Sequence, residues 1–327
     1  MPTQITKTRP FVCCLLVWAA AIPAHAQQTH HRAAPHTHAA KKPSPPPIDE
    51  QALKTQVMLD RAGYSPGEIN GTMSASTKKA LAVFTKFGGD AAALPTDAIA
   101  NYTLTEQDVA GPFTPEIPRS MMEMAKLDAL NYRNVAEKLG EHFHCSPTLL
   151  RRLNPTAKFV AGEEIKVPNV LQDVAPVGPP RGSQADASNP AATTVKVSKA
   201  GSNLIVTDGA NHILMYAPVT SGSEHDPLPI GEWKVTGVQH NPKFHYNPEL
   251  FWDAKASDTK TTIQPGPNNP VGVVWIDLSR PHYGLHGTPE PSLIGKTTSH
   301  GCVRLTNWDA EKLAGLVRTG TKVLFTE

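Results

Sequence analysis

Two proline-rich stretches divide this chain, and they restrict its fold more than any other feature. Proline fixes φ and removes a backbone donor, so a segment dense in it joins neither a helix interior nor a sheet centre. Residues 27–48 end in Pro43-Ser44-Pro45-Pro46-Pro47, and residues 173–192 carry Pro176, Pro179 and Pro180 with Gly178 and Gly182. Both read as linkers. They separate an apolar leader, a middle part and a C-terminal part, and a chain of 327 residues is long enough to hold more than one core.

The leader, residues 1–26, has the three parts of a signal peptide. Lys7 and Arg9 are its charge, Phe11 to Ile22 its apolar run, and Ala24-His25-Ala26 a small-x-small cleavage site. The run is short of the roughly 20 residues that span a bilayer, so cleavage rather than anchoring is expected. Lys7 and Arg9 account for the whole excess of 31 basic over 29 acidic side chains. From Gln27 onward the two signs balance, which removes the electrostatic case for a nucleic-acid partner. No later stretch is apolar enough to span a membrane, so the expected product is exported to the periplasm or cell wall, without a transmembrane segment once the signal is cleaved. His30, His31, His36 and His38 lie in the first linker, where nothing fixes them in one geometry; they read as part of a spacer rather than a metal site.

The middle part holds two helical patterns. Over 49–110, Leu53 and Val57 share a face, as do Ala80 and Phe84, and Gly63 to Gly71 is dense in turn residues. Ser74 or Ser76 can cap the second helix. The Gly63-Tyr64…Gly67…Ile69-Asn70-Gly71 loop and the Thr77–Phe84 helix resemble the small three-helix peptidoglycan-binding domain, with Asn70 in place of the usual Asp. Residues 111–126, with Pro112, Pro115 and Pro118, read as a connector. Over 127–172, Val135–Leu139 and Leu149–Asn154 read as short helices, the second capped by Ser146 with Pro147 in its first turn. With the strand Glu164–Pro168 they resemble a LysM module, a small α+β fold that binds N-acetylglucosamine polymers, although its usual first strand is not visible. Cys145 reads as a core thiol.

From 193 the texture becomes β. Strands are expected around Val195 and Val197, at Leu204–Val206, Ile213–Tyr216, Trp233–Val238, Val271–Asp277 and Lys322–Thr326, with one helix from Asn307 to about Val317. The fold class expected for the chain is multidomain: a small all-α module, a small α+β module, and a β-rich sandwich or partly open barrel with one C-terminal helix.

The chemistry gathers at Ser299-His300-Gly301-Cys302-Val303-Arg304, with His286-Gly287 upstream. Cys302 is the one plausible nucleophile, and His286 is far enough away to lie on a neighbouring strand and take its proton. A thiolate–imidazolium pair is a strong nucleophile at neutral pH. Gly301 lets backbone approach a bound carbonyl, where its N–H and that of Cys302 form an oxyanion hole. No Asp or Asn is placed to orient the imidazole, so a backbone carbonyl near Gly287 must. Zinc on His286, His300 and Cys302 lacks the paired spacings of a structural site. An inert buried thiol beside unrelated histidines is the other alternative, as is a disulfide between Cys145 and Cys302.

His286-Gly287 followed by Ser299-His300-Gly301-Cys302-Val303-Arg304 resembles the signature of the L,D-transpeptidases, the YkuD-like fold. Pro229-Ile230-Gly231-Glu232-Trp233 and Asn269-Pro270-Val271-Gly272 resemble two further family segments, with Leu228 where the family has threonine. The resemblance implies that Cys302 attacks a peptidoglycan stem peptide at an L-centre and expels D-Ala. It gives His286 the proton transfers, held by the Gly287 carbonyl, and the oxyanion hole to Gly301 and Cys302. An amine of a second stem peptide or of a wall protein then resolves the thioester; water instead gives a carboxypeptidase or endopeptidase. Ser299 and His300 are expected to shape the loop. Arg304 is expected either to hold a substrate carboxylate or to anchor the turn, and Tyr283 to line the pocket or pack in the core. No cofactor and no metal is expected.

Overall fold

The computed structural model describes residues 47–170 and 193–327. The signal peptide, nearly all of the first linker and the whole of the second lie outside the described residues.

Capping sets the first elements. Asp49 accepts from the Ala52 N–H at 3.0 Å and starts α1 (Glu50–Arg61); Ser74, not Ser76, accepts from the Thr77 N–H at 3.1 Å and starts α2 (Ala75–Lys86). Between them the buried Gln56 amide accepts from the Asn70 and Gly71 N–H groups and donates to Thr77 Oγ1, which ties the glycine-rich turn to both helices. The chain then forms β1 (Ile99–Thr103), α3 (Glu106–Val109), α4 (Met121–Met124), α5 (Val135–His142), α6 (Pro147–Leu153) and β2 (Glu164–Pro168). Ser146 caps α6, with Pro147 at its start.

The strand invisible in the sequence is β1, which pairs antiparallel with β2 from Ile99–Pro168 to Thr103–Glu164. It lies inside the segment expected to be all-helical, so packing crosses the boundaries expected at 110 and 127. Leu53, Val57 and Ile69 share one core with Leu139, Phe143, Cys145, Leu149 and Ile165. The expected all-α and LysM-like modules therefore share this core, while Met58, Leu59, Ala80 and Phe84 form a second cluster between the first two helices. The physical reason is the sheet: a two-stranded ribbon needs a helix packed on it to be stable, and α1 supplies part of that cover.

The C-terminal part begins with β3 (Thr194–Ser198), β4 (Asn203–Thr207), β5 (Ile213–Pro218), β6 (Thr220–Ser221) and β7 (Gly231–His240). It continues with β8 (Phe244–Tyr246), β9 (Thr261–Ile263), β10 (Val274–Leu278), β11 (Gly284–His286), β12 (Val303–Arg304), α7 (Asn307–Leu316) and β13 (Lys322–Thr326). Nine strands form one sheet in the order β5-β4-β3-β13-β7-β10-β11-β12-β6, while β8 and β9 make a separate ribbon. The edge strands β5 and β6 are joined through Val219 alone, so the sheet curls until its edges nearly meet. Its inner face and α7 bury Val195, Leu204, Val235, Ile276, Leu285, Val303, Leu313 and Phe325 in one core.

The middle part is built onto this sheet. The Ser65 N–H donates to the Tyr216 carbonyl at 2.9 Å and the Tyr216 N–H to the Gly63 carbonyl at 3.0 Å, which extends the edge at β5. Met58, Leu59, Tyr64 and Phe84 bury Tyr216 from the outer side. His144 stacks on Trp308 of α7 with ring centroids 5.2 Å apart, and its Nδ1 lies 3.0 Å from Asp60. Leu130 exchanges backbone hydrogen bonds with Pro265 and Asn268, each at 2.9 Å. Residues 47–327 thus cluster as one compact unit.

Candidate active site

β11 and β12 run parallel, with Leu285 level with Val303 and His286 level with Arg304. Parallel neighbours need a crossover of a dozen or more residues. The stretch from Gly287 to Gly301 is that crossover, so the spacing between histidine and cysteine is a property of the sheet. Leu285 and Val303 enter the core. Side chains alternate along a strand, so His286 and Arg304 stand on the opposite face, and one register step back Cys302 stands there beside Gly284.

His286 is buried, and its Nδ1–H donates to the Gly287 carbonyl at 2.7 Å, which leaves Nε2 as the acceptor. Burial, and secondarily the Arg304 charge, push its pKa down to about 3 against the opposing pull of the Gly287 carbonyl. On β10 the Trp275 ring stacks on the imidazole at 5.3 Å and 23°. Gly287 itself is required by Asn307: a Cβ there would lie 2.2 Å from Asn307 Oδ1. Asn307 in turn donates to Glu141 Oε1 of α5 at 2.7 Å, so the middle part braces the histidine loop.

Cys302 is half-buried, and its thiol donates to the His282 carbonyl at 3.6 Å. Burial pushes the thiol up to about 11, opposed by a Gly284 backbone hydrogen bond and the Arg304 charge. Both shifts favour the uncharged forms, thiol and neutral imidazole, because burial penalises each charge. Cys145 is buried far from this motif in sequence, in the core of the middle part; both cysteines are free. His282 holds φ at 68° and Gly301 at 94°. A Cβ on Gly301 would lie 2.6 Å from the Tyr283 ring, so Tyr283 packs directly on the cysteine turn.

Ser299 is buried; its hydroxyl donates to the Cys302 carbonyl at 2.6 Å and accepts from the Gly222 N–H at 2.7 Å. His300 turns to a different partner, Asp253, with Nε2 2.8 Å from the carboxylate and its ring against Phe251. Arg304 donates to the Thr298 carbonyl at 3.5 Å, and among the described residues no carboxylate forms an ion pair with it. Sequence reasoning missed Trp275, Asn307, Gly222 and Asp253. Of these only Trp275 left a signal, the alternation Val274-Trp275-Ile276-Asp277 that puts it on the outer face of its strand.

A curled sheet that sets a cysteine and a histidine on one face of two parallel strands is a definite structural class. Residues 192–324 match the family model of YkuD, the L,D-transpeptidase catalytic domain. The chain is similar to the putative L,D-transpeptidase YkuD of Bacillus subtilis, 32% identical over 35% of this chain and 54% of that one. It is also similar to the probable L,D-transpeptidase YbiS of Escherichia coli K12, 32% identical over 36% of this chain and 39% of that one. L,D-transpeptidase 3 from Mycobacterium tuberculosis is 17% identical, with a TM-score of 0.35 over 42% of this chain and 61% of that one. The chain spans about half the length of the curated relatives it matches.

Proposed function

We propose that this chain is an exported peptidoglycan L,D-transpeptidase in which Cys302 is the nucleophile and His286 the base. The observation that carries the reading is the imidazole: its Nδ1–H is committed to the Gly287 carbonyl, so Nε2 is free to accept, on the sheet face that also carries Cys302. As the sulfur bonds to the carbonyl carbon of the L-centre residue, the thiol proton passes to Nε2. The oxyanion is steadied by the N–H groups of Gly301 and Cys302. Collapse breaks the peptide bond, and the imidazolium returns its proton to the departing amine of D-Ala. An amine of a second stem peptide, or of a wall protein, then attacks the thioester, gives up a proton to the imidazole, and the thiol is restored. One peptide bond is exchanged for another, so no energy source is needed.

Arg304 donates to the Thr298 carbonyl and forms no ion pair with a carboxylate among the described residues, although Glu290 and Asp253 lie near enough to act on it; in this reading its free donors hold a substrate carboxylate. Ser299, His300 and Tyr283 shape the loop. The middle part docks the enzyme on the wall, and in its LysM-like portion a polar groove lined by Asn101, Asn154, Thr156, Glu163 and Lys166 suits a saccharide. Because that part shares its packing with the catalytic sheet, wall binding is to be tested on the full chain.

Incubation with a disaccharide-tetrapeptide tests the reaction. The expected product is a cross-linked dimer with release of D-Ala, absent in Cys302→Ala. Release of D-Ala without dimer identifies water as the acceptor and a carboxypeptidase; full activity of Cys302→Ala overturns the nucleophile.

A further inference from the structure

An imidazole that shuttles a proton has to be held in two senses. The Gly287 carbonyl decides which nitrogen faces the thiol, but a single hydrogen bond at the ring edge leaves the ring free to tilt about it. Among the described residues no carboxylate or amide side chain bonds to His286, so the second restraint comes from elsewhere.

β10 supplies it. Trp275 is the antiparallel partner of His286, and Asp277 the partner of Gly284. Ile276 and Leu285 between them enter the core, so Trp275, Asp277, Gly284 and His286 share the outer face. The indole crosses β11 over Gly284, where a Cβ would come within 2.6 Å of its ring. Its Nε1–H donates to Asp277 Oδ1 at 2.6 Å, which fixes the plane of the ring, and that plane lies 23° from the imidazole at 5.3 Å.

We propose that Trp275, locked by Asp277 across Gly284, is the positioning residue of His286, and that its π face stabilises the imidazolium formed when the thiol proton is transferred. The inference rests on His286 being the base. A ring face is negative and attracts a cation most strongly where water is excluded. His286 is buried and the Arg304 charge on β12 opposes the imidazolium, while the Asp277 charge on β10 acts on the Cys302 thiol. The indole thus offsets part of the penalty that keeps the resting ring neutral. It does in this site part of what a side-chain carboxylate does in an ordinary triad.

Acylation of the full chain by a carbapenem, followed by mass spectrometry, tests the proposal with Trp275→Leu, Trp275→Phe and His286→Gln. The expected result for Trp275→Leu is an acylation step about tenfold slower at saturating carbapenem, with the half-saturating concentration unchanged. Trp275→Phe, which keeps a ring face, should restore most of the rate. Equal rates for Leu, Phe and the native residue, with His286→Gln slow, would overturn the clamp and leave the base in place. Native rates in His286→Gln would remove the base, and the clamp with it. A measurement on the unaltered protein covers a Leu variant that fails to fold: the indole ring current should move the carbon-bound imidazole protons of His286 upfield, and unshifted resonances would overturn the stacking.

Discussion

Burial shifts His286 and Cys302 toward their neutral forms, and in the proposed mechanism this gives both catalysis and stability a pH signature. With the imidazole at about 3 and the thiol at about 11, neither group changes charge across neutral pH. The rate of carbapenem acylation should therefore be level from pH 5 to 9, where an ion pair of ordinary pKa values would give a bell. Stability should respond at lower pH. Below the ordinary histidine pKa of about 6.5 the unfolded chain binds a proton that the folded site refuses, so the fold weakens as pH falls toward 3. Urea titrations at pH 7 and pH 5 should show the native protein losing up to about 2 kcal/mol more than His286→Gln. Cysteine and histidine stand out in the sequence because their residue types are able to carry nucleophilic attack and proton transfer. Trp275 and Asn307 do not, because they act through position, and position is a property of strand register.

Among the elements, the long strands announced themselves by alternation: Thr194–Ser198, Asn203–Thr207 and Lys322–Thr326 each bury every second residue. The strands that build the site did not. β12 has two residues and β11 three, too few to show a period, and β11 is buried throughout. β1 was lost for a related reason, since Ile99–Thr103 has no fully buried position to mark an inner face. The contact at β5 was legible only in half: Gly63-Tyr64 was recognisable as a turn, but its partner, Tyr216, is far away in sequence. Tyr64 is buried with its ring 5.3 Å from Phe84 and 6.4 Å from Tyr216. Tyr64→Ala should cost about 3 kcal/mol in denaturant titrations of the full chain, as large aromatic truncations do. It should also leave a sheet edge less protected, visible as aggregation on heating.

The whole molecule departs most from the sequence reading. Separate modules on linkers were expected, yet Ser65, Leu130, Glu141 and His144 all bond to or stack on residues beyond 193. Buried hydrogen bonds and ring stacks across such distances leave no trace in local periodicity. Calorimetry should accordingly show one unfolding transition, with calorimetric and van't Hoff enthalpies equal, rather than one for each module. Gly266 offers the contrasting variant. It holds φ at 140°, and a Cβ there would lie 2.2 Å from the Leu130 carbonyl, so Gly266→Ala should lower the midpoint and split the transition.

The place of β13 in the sheet has a further consequence. Lys322–Thr326 lies between β3 and β7, and its two flanks share no other strand pairing between them. In the order of synthesis, Cys302 and His286 are finished before the strand that joins the halves of their scaffold. A reading-frame error after residue 321 would spare every residue of the site and still leave two half-sheets with raw edges facing each other. The cysteine turn is thus made early and its scaffold closed late.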